Sequence, residues 1–216
     1  MIRRKFQCII LAILPCVFFG ACVQYRIEDV PFKPSFDHSF IKKIAVVEFS
    51  NHTGRKDASE IVPDQIEQLL VAESGYEVIS RMQLRQILQE HDLSSRGILS
   101  PSTVRKIGHL AGVDALVVGT VIKYQLTEDE KKAGFIMVKK RQSTVVFTFK
   151  VLNTTTGQVV YSKTSQGTWW RKAIEGQYDE LDKNSDYEYM DIALKKALYD
   201  VKAIYPHMTK ERVRVK

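Results

Sequence analysis

Cysteine is scarce in this chain: three residues in 216, Cys8, Cys16 and Cys22, all close to the N-terminus. Removal of a leading segment up to residue 21 leaves Cys22 alone, which excludes an intramolecular disulfide and a cysteine-ligated metal cluster in the folded protein. The five histidines, His38, His52, His91, His109 and His207, lack the paired spacing of a metal site and read as surface or helix-end residues. No phosphate loop with its Gly-Lys-Ser/Thr is present, and Gly108, Gly112 and Gly119 do not make a dinucleotide fingerprint. There is no internal repeat of solenoid length and no low-complexity tract. No motif for catalysis survives, so the chain reads as a non-enzyme without cofactor or metal, stabilised by a packed core. What is present, 44% hydrophobic and 26% charged residues, suits one globular domain with modest appendages.

The N-terminus reads as an address. Residues 1–5 are cationic, residues 6–21 are uncharged and rich in Ile, Leu, Val and Phe, and Gly20 and Ala21 place two small residues before Cys22. That is the three-part order of a secretory signal peptide. A permanent transmembrane helix needs roughly 20 apolar residues, whereas this run is shorter and contains Pro15. Phe19-Gly20-Ala21-Cys22 resembles the bacterial lipobox, with Phe19 where Leu is commoner. The resemblance implies cleavage after Ala21 and acylation of Cys22. Several acyl chains on one residue give stable attachment, where a single chain is only marginally retentive. Val23 and Gln24 follow, without the Asp that commonly signals inner-membrane retention in such lipoproteins, so the expected location is the periplasmic face of the outer membrane. The formal charge is +7, but Arg3, Arg4 and Lys5 leave with the signal, and the remaining charge of about +4 mainly keeps a small domain soluble. An exported protein does not meet DNA, so the outward-facing Arg105, Lys106 and His109 do not imply a nucleic-acid partner.

Residues 22–40, with Pro31, Pro34 and little periodicity, read as a short lipidated tether. The apolar run at 44–49, after Lys42 and Lys43, predicts a buried strand that ends at the turn-forming residues 50–54. In the next helix Pro63 suits a first turn, Val62, Ile66, Leu69 and Leu70 share a face, and Gly75 suits the position just past the end. Residues 76–80 read as a strand and 82–91 as a helix, with Leu84, Ile87 and Leu88 on one side. Ser100-Pro101 starts another helix with Val104, Ile107, Gly108 and Ala111 inward, and Gly112 stops it. Residues 115–122, apolar on both faces, predict a central strand covered at least in part on both sides. Val145, Phe147, Phe149 and Val151 alternate with polar residues, a turn follows at 153–157, and residues 159–164 continue as the antiparallel partner. Met190, Leu194, Ala197, Leu198, Val201 and Tyr205 mark a long amphipathic helix, and residues 206–216 a basic tail. The order β-α-β-α-α-β-β-β-α predicts an α/β fold, a mixed sheet with helices packed on it, over residues 41–205.

The blocks at 43–54, 76–81 with 84–90, 102–108, 112–121, and 151–157 with 159–162 resemble the curli assembly and transport (CsgG-type) lipoprotein family, with the LpoB-type activators of penicillin-binding proteins as relatives. The likeness covers most of residues 42–165. It implies a CsgG-like periplasmic domain, self-association, and a place in an outer-membrane secretion or assembly system. In the curli channel, two hairpins from each subunit join a membrane barrel. Such strands need about 9–11 alternating residues. Of the two places to look, residues 125–143 hold Glu128–Lys132 and Lys139–Arg141 around one apolar run at 135–138, and residues 165–189 show no sustained alternation. The expectation is an accessory scaffold without full pore-forming hairpins. The alternative is an activator of a peptidoglycan synthase, which the short tether, at most about 3.5 Å per residue, disfavours.

Trp169 and Trp170, followed by Arg171, are the residues favoured for contact with a partner or the membrane. An edge strand covering the core with one of the two tryptophans fits the same residues. Glu48, Asp57 and Asp114 lie beside strands and read as loop caps.

Overall fold

In chain order the elements are β1 (Tyr25–Phe32), β2 (Lys43–Val46), β3 (Ser50–Asn51), α1 (Ala58–Glu73), β4 (Glu77–Ile79), α2 (Arg81–Glu90), α3 (Pro101–Ala111), β5 (Ala115–Ala133), β6 (Ile136–Asn153), β7 (Val159–Ile174), α4 (Asp186–Leu198), a 3-10 helix (Tyr199–Ile204) and β8 (His207–Arg214). The computed structural model describes residues 25–93, 100–178, 181 and 185–214. They fall into two units, residues 31–209 and a smaller one drawn from both ends of the chain.

In the larger unit the strands lie in the order β4-β2-β5-β6-β7, with β3 also beside β5. β2 runs parallel to both β4 and β5, while β5, β6 and β7 are antiparallel. This is the mixed sheet that the order of elements predicts, with β5 central. Alternation along the strands feeds two cores. Ala45, Val47, Leu116 and Val118 pack with Leu84 and Leu88 of α2 and Val104 and Ile107 of α3. On the opposite side Val117, Val121, Phe147, Phe149 and Val151 pack with Val62, Ile66 and Leu70 of α1 and Leu194 and Ala197 of α4.

Helix starts follow the sequence signals with one exception. Ser80, Ser100 and Ser185 accept hydrogen bonds through their side chains from the backbone N–H of Gln83, Thr103 and Glu188. Pro63, however, lies inside α1 and not in its first turn. The start is set earlier, where the Asp57 carbonyl accepts from the N–H of Glu60 and Ile61, and Pro63 contributes a buried apolar surface in place of a hydrogen bond. Gly108 allows the close approach its position predicts: a Cβ there would stand 2.2 Å from Thr154 Cβ, at the turn after β6.

The end of α1 is tied to the 3-10 helix. Lys202 Nζ donates to Glu73 Oε2 at 2.7 Å, and Tyr205 Oη donates to the same oxygen at 3.1 Å. The Lys202 ammonium, with help from Tyr205, holds the Glu73 carboxyl below its ordinary 4.5. An acid with a depressed folded-state pKa stabilises the fold above its unfolded value, and that contribution is lost as pH falls through the folded value. Glu73→Gln is therefore expected to lower stability at pH 7 by under about 1 kcal/mol, as befits a partly exposed pair. Urea titrations should show the difference from the parent shrinking as the pH drops below 4.5. A difference independent of pH would assign the loss to packing.

The late strands are longer than their apolar patterns. β5 has 19 residues and β6 has 18. Register slips between Val121 and Lys123, which leaves Ile122 as an extra residue, and the pairing of β3 with β5 ends at Val121. Beyond that point β5, β6 and β7 continue as a three-stranded projection, closed by the two-residue connection Gly134-Phe135. Gly134 has φ of 66°, the left-handed value that the first position of a type II′ turn takes.

The smaller unit, over its described residues, is formed by 25–30 and 210–214. These residues belong to β1 and β8, which pair as a two-stranded sheet. A tether and a basic tail are what the sequence predicts there. Strand pairing between segments that far apart in the chain leaves no local signature.

Candidate interaction surface

The projection is held by charge pairs on both of its faces and by a helix along its flank. Opposite charges meet across the strands, with Glu128 beside Arg141, Asp129 beside Lys140 and Glu130 beside Lys139. Glu128 is 3.1 Å from both Lys139 and Arg141. Arg141, 12% exposed, also pairs with Asp186 at the start of α4 and lies 5.1 Å from the centre of the Tyr189 ring. Further along, α4 seats on small residues. Ser143 Oγ donates to the Tyr189 carbonyl at 2.6 Å, and Ser165 Oγ donates to the Ala197 carbonyl at 2.6 Å. Gly167 faces the backbone of Ala193 between them.

This geometry divides Trp169, Trp170 and Arg171. Neighbouring residues of a strand point to opposite faces, and β7 is the edge of the sheet. Trp169 turns toward α4, packs against the core, and has Lys196 Nζ 4.6 Å from its ring centre. Arg171 shares that side, opposite Arg141. Trp170 stands alone on the other face, half-exposed, with Lys140 Nζ at 5.7 Å and Lys172 Nζ at 5.3 Å from its ring centre. The trio is therefore not one contact patch: Trp169 covers the core, and Trp170 is the outward member.

Around Trp170 the outer face is partly to fully exposed over its described residues. Its rows run Thr127, Gln142, Trp170; then Asp129, Lys140, Lys172; then Lys131, Val138, Ile174. At its end Phe135 is fully exposed, and Ile136 and Ile174 are 48% and 44% exposed. Phe135, Lys140 and Ile174 are the surface residues that sequence reading did not single out, although the apolar run at 135–138 was visible.

The remaining candidates have structural roles. Asp114 Oδ2 accepts from the backbone N–H of Lys42 at 2.9 Å and of Lys43 at 2.8 Å, which fixes the entry to β2. Asp57 stands at the cap position of α1 and pairs with Arg55, whose guanidinium lowers the Asp57 pKa. Glu48 accepts from Arg85 at 3.1 Å. His91 and His109 sit at helix ends. Among the described residues, no group of three or more His, Cys, Asp or Glu is placed to hold a metal ion, and no helix is long and apolar enough to cross a membrane. Gly20, Ala21 and Cys22 lie outside the described residues.

Comparison with known proteins gives one family. The model for the curli production assembly/transport component CsgG matches residues 38–213. No curated protein matches the sequence. Solved structures that resemble the chain include the PelC dodecamer from Paraburkholderia phytofirmans, with TM-score 0.49 and 15% identity, covering 83% of this chain and 97% of that one. Lipoprotein GNA1162 from Neisseria meningitidis gives 0.47 and 14%, covering 74% and 96%. The LpoB C-terminal domain from Salmonella enterica gives 0.41 and 14%, covering 61% and 86%.

Proposed function

Given that the chain belongs to the curli production assembly/transport component CsgG family, we propose that it is a non-enzymatic scaffold, lipid-anchored on the periplasmic face of the outer membrane and accessory to a secretion or assembly system. The family match over residues 38–213 carries this reading. Cys22 is the anchor, freed by cleavage after Gly20-Ala21, and it follows a cationic start and an uncharged apolar segment. The domain self-associates or docks on an envelope machine, and Trp170, the outward member of the tryptophan pair, is the residue placed for contact with a partner or the membrane.

Full pore-forming hairpins are not part of the reading. The strands at 128–132 and 139–141 carry charge on both faces, which a lipid-facing strand tolerates poorly. Among the described residues, 165–178 complete β7 and a turn without forming a second hairpin.

The anchor is tested by Cys22→Ser. The parent chain is expected to incorporate labelled palmitate and to sediment with the outer membrane, whereas the variant takes up no label and moves to the soluble periplasmic fraction. Co-sedimentation of an unlabelled variant at the parental level would remove the tether from the proposal.

A further inference from the structure

We infer that the tip and outer face of the β5–β6–β7 projection dock on a phospholipid bilayer that carries anionic headgroups. The inference goes beyond the anchored-scaffold reading and does not need acylation of Cys22.

Soluble surfaces scatter large apolar side chains singly, but here they gather at one extremity. Phe135 forms the turn itself at 102% exposure, Ile136 follows at 48%, and Ile174, opposite Val138 on the neighbouring strand, is 44% exposed. The tip is a two-residue turn with a fully exposed ring, only a few residues deep, so it suits a soft planar partner better than a groove. Behind it comes a collar of cations. Lys131 shares the row of Val138 and Ile174, and Lys140 and Lys172 share the next row with Asp129 as the one acidic member. Trp170 stands one row further back, opposite Gln142, with Lys140 Nζ at 5.7 Å and Lys172 Nζ at 5.3 Å from its ring centre.

Charge supports the same occupant. Residues 128–141 and 171–176 together carry seven Lys and Arg against Glu128, Asp129, Glu130 and Glu175. Glu128 is engaged by Lys139 and Arg141 on the opposite face, which leaves the outer face cationic. Apolar residues that end in a rim of lysine and tryptophan match the layers of a membrane boundary: acyl chains, phosphates, then the aromatic belt. From Phe135 back to Lys140 is about 16 Å at strand rise, so the tip enters the boundary while the lysines meet phosphate. The charged rows behind it stop deeper entry, and no transmembrane strand results.

The test uses the full chain with Phe135→Trp in a Trp169→Phe, Trp170→Phe background, so that emission reports position 135 alone. Circular dichroism confirms that this background folds. Vesicles of phosphatidylcholine with about 30% phosphatidylglycerol, brominated at shallow acyl positions, are expected to quench and blue-shift the probe. Adding Lys140→Glu and Lys172→Glu should weaken vesicle binding about tenfold or more. A probe insensitive to vesicles overturns the inference, as does equal quenching on uncharged phosphatidylcholine. A blue shift that grows with protein concentration in the absence of lipid also overturns it, in favour of a second copy as the occupant. Acylation at Cys22 without quenching at 135 would sink the docking tip and leave the anchor standing; quenching in a chain that takes up no palmitate would do the reverse.

Discussion

Gly167→Val is expected to cost more than about 4 kcal/mol and to leave little cooperatively folded protein. A Cβ at this position would stand 1.8 Å from the Ala193 carbonyl oxygen and 2.6 Å from the Ala197 nitrogen. Both are backbone atoms of α4, so no side-chain rotation relieves the clash, and valine adds two methyl groups to it. The helix would have to lift off β7, which also breaks the buried bonds from Ser143 to Tyr189 and from Ser165 to Ala197. Each would leave a buried polar group without its partner. Thermal or urea unfolding followed by circular dichroism measures the effect. A midpoint within about 2 °C of the parent would mean that α4 does not rest on this strand.

Phe147→Ala should destabilise by about 3–5 kcal/mol, the range for truncating a buried aromatic residue. Phe147 is fully buried at the centre of the larger core, with ring centres 6.3 Å from Phe49 and 6.0 Å from Phe149. Phe149 is two residues along the same strand and Phe49 belongs to the link between β2 and β3, so collapse around the void would require the strand or that link to shift. Phe135→Ala is the matched control. The same deletion at a fully exposed ring should change the urea midpoint by less than about 0.5 kcal/mol equivalent. If the two variants unfold alike, Phe147 does not hold the core together.

Much of the architecture was legible in the sequence because burial there is periodic. The central position of residues 115–122 follows from their being apolar on both faces, and Ser100-Pro101 marks its helix start by chemistry alone. Pro63 misled because two residue classes share its signature: a proline at a helix start and one absorbed into a buried helix face. The projection was hidden for a different reason. Residues 128–132 and 139–141 look like solvated charge runs, and only the register that sets Glu128 against Arg141 and Glu130 against Lys139 turns them into strands. No local pattern contains that register. For the tryptophan pair the opposite holds. A period of two already forbids Trp169 and Trp170 from sharing a face once residues 159–164 are extended through position 170. Ser143, Ser165 and Gly167 carried no sequence signal, since small residues in a strand announce a close neighbour only when that neighbour is known.

The clasp of Arg141 and Asp186, together with the seating of α4 on Ser143, Ser165 and Gly167, has a mechanical corollary. A hairpin fastened only at its root would flex at the extra residue Ile122, and a tug on its far end would fade there. Splinted by a helix that itself ends in the body of the domain, the arm pivots as a stiff lever. Force at Phe135 then arrives as torque on the cluster around Phe147.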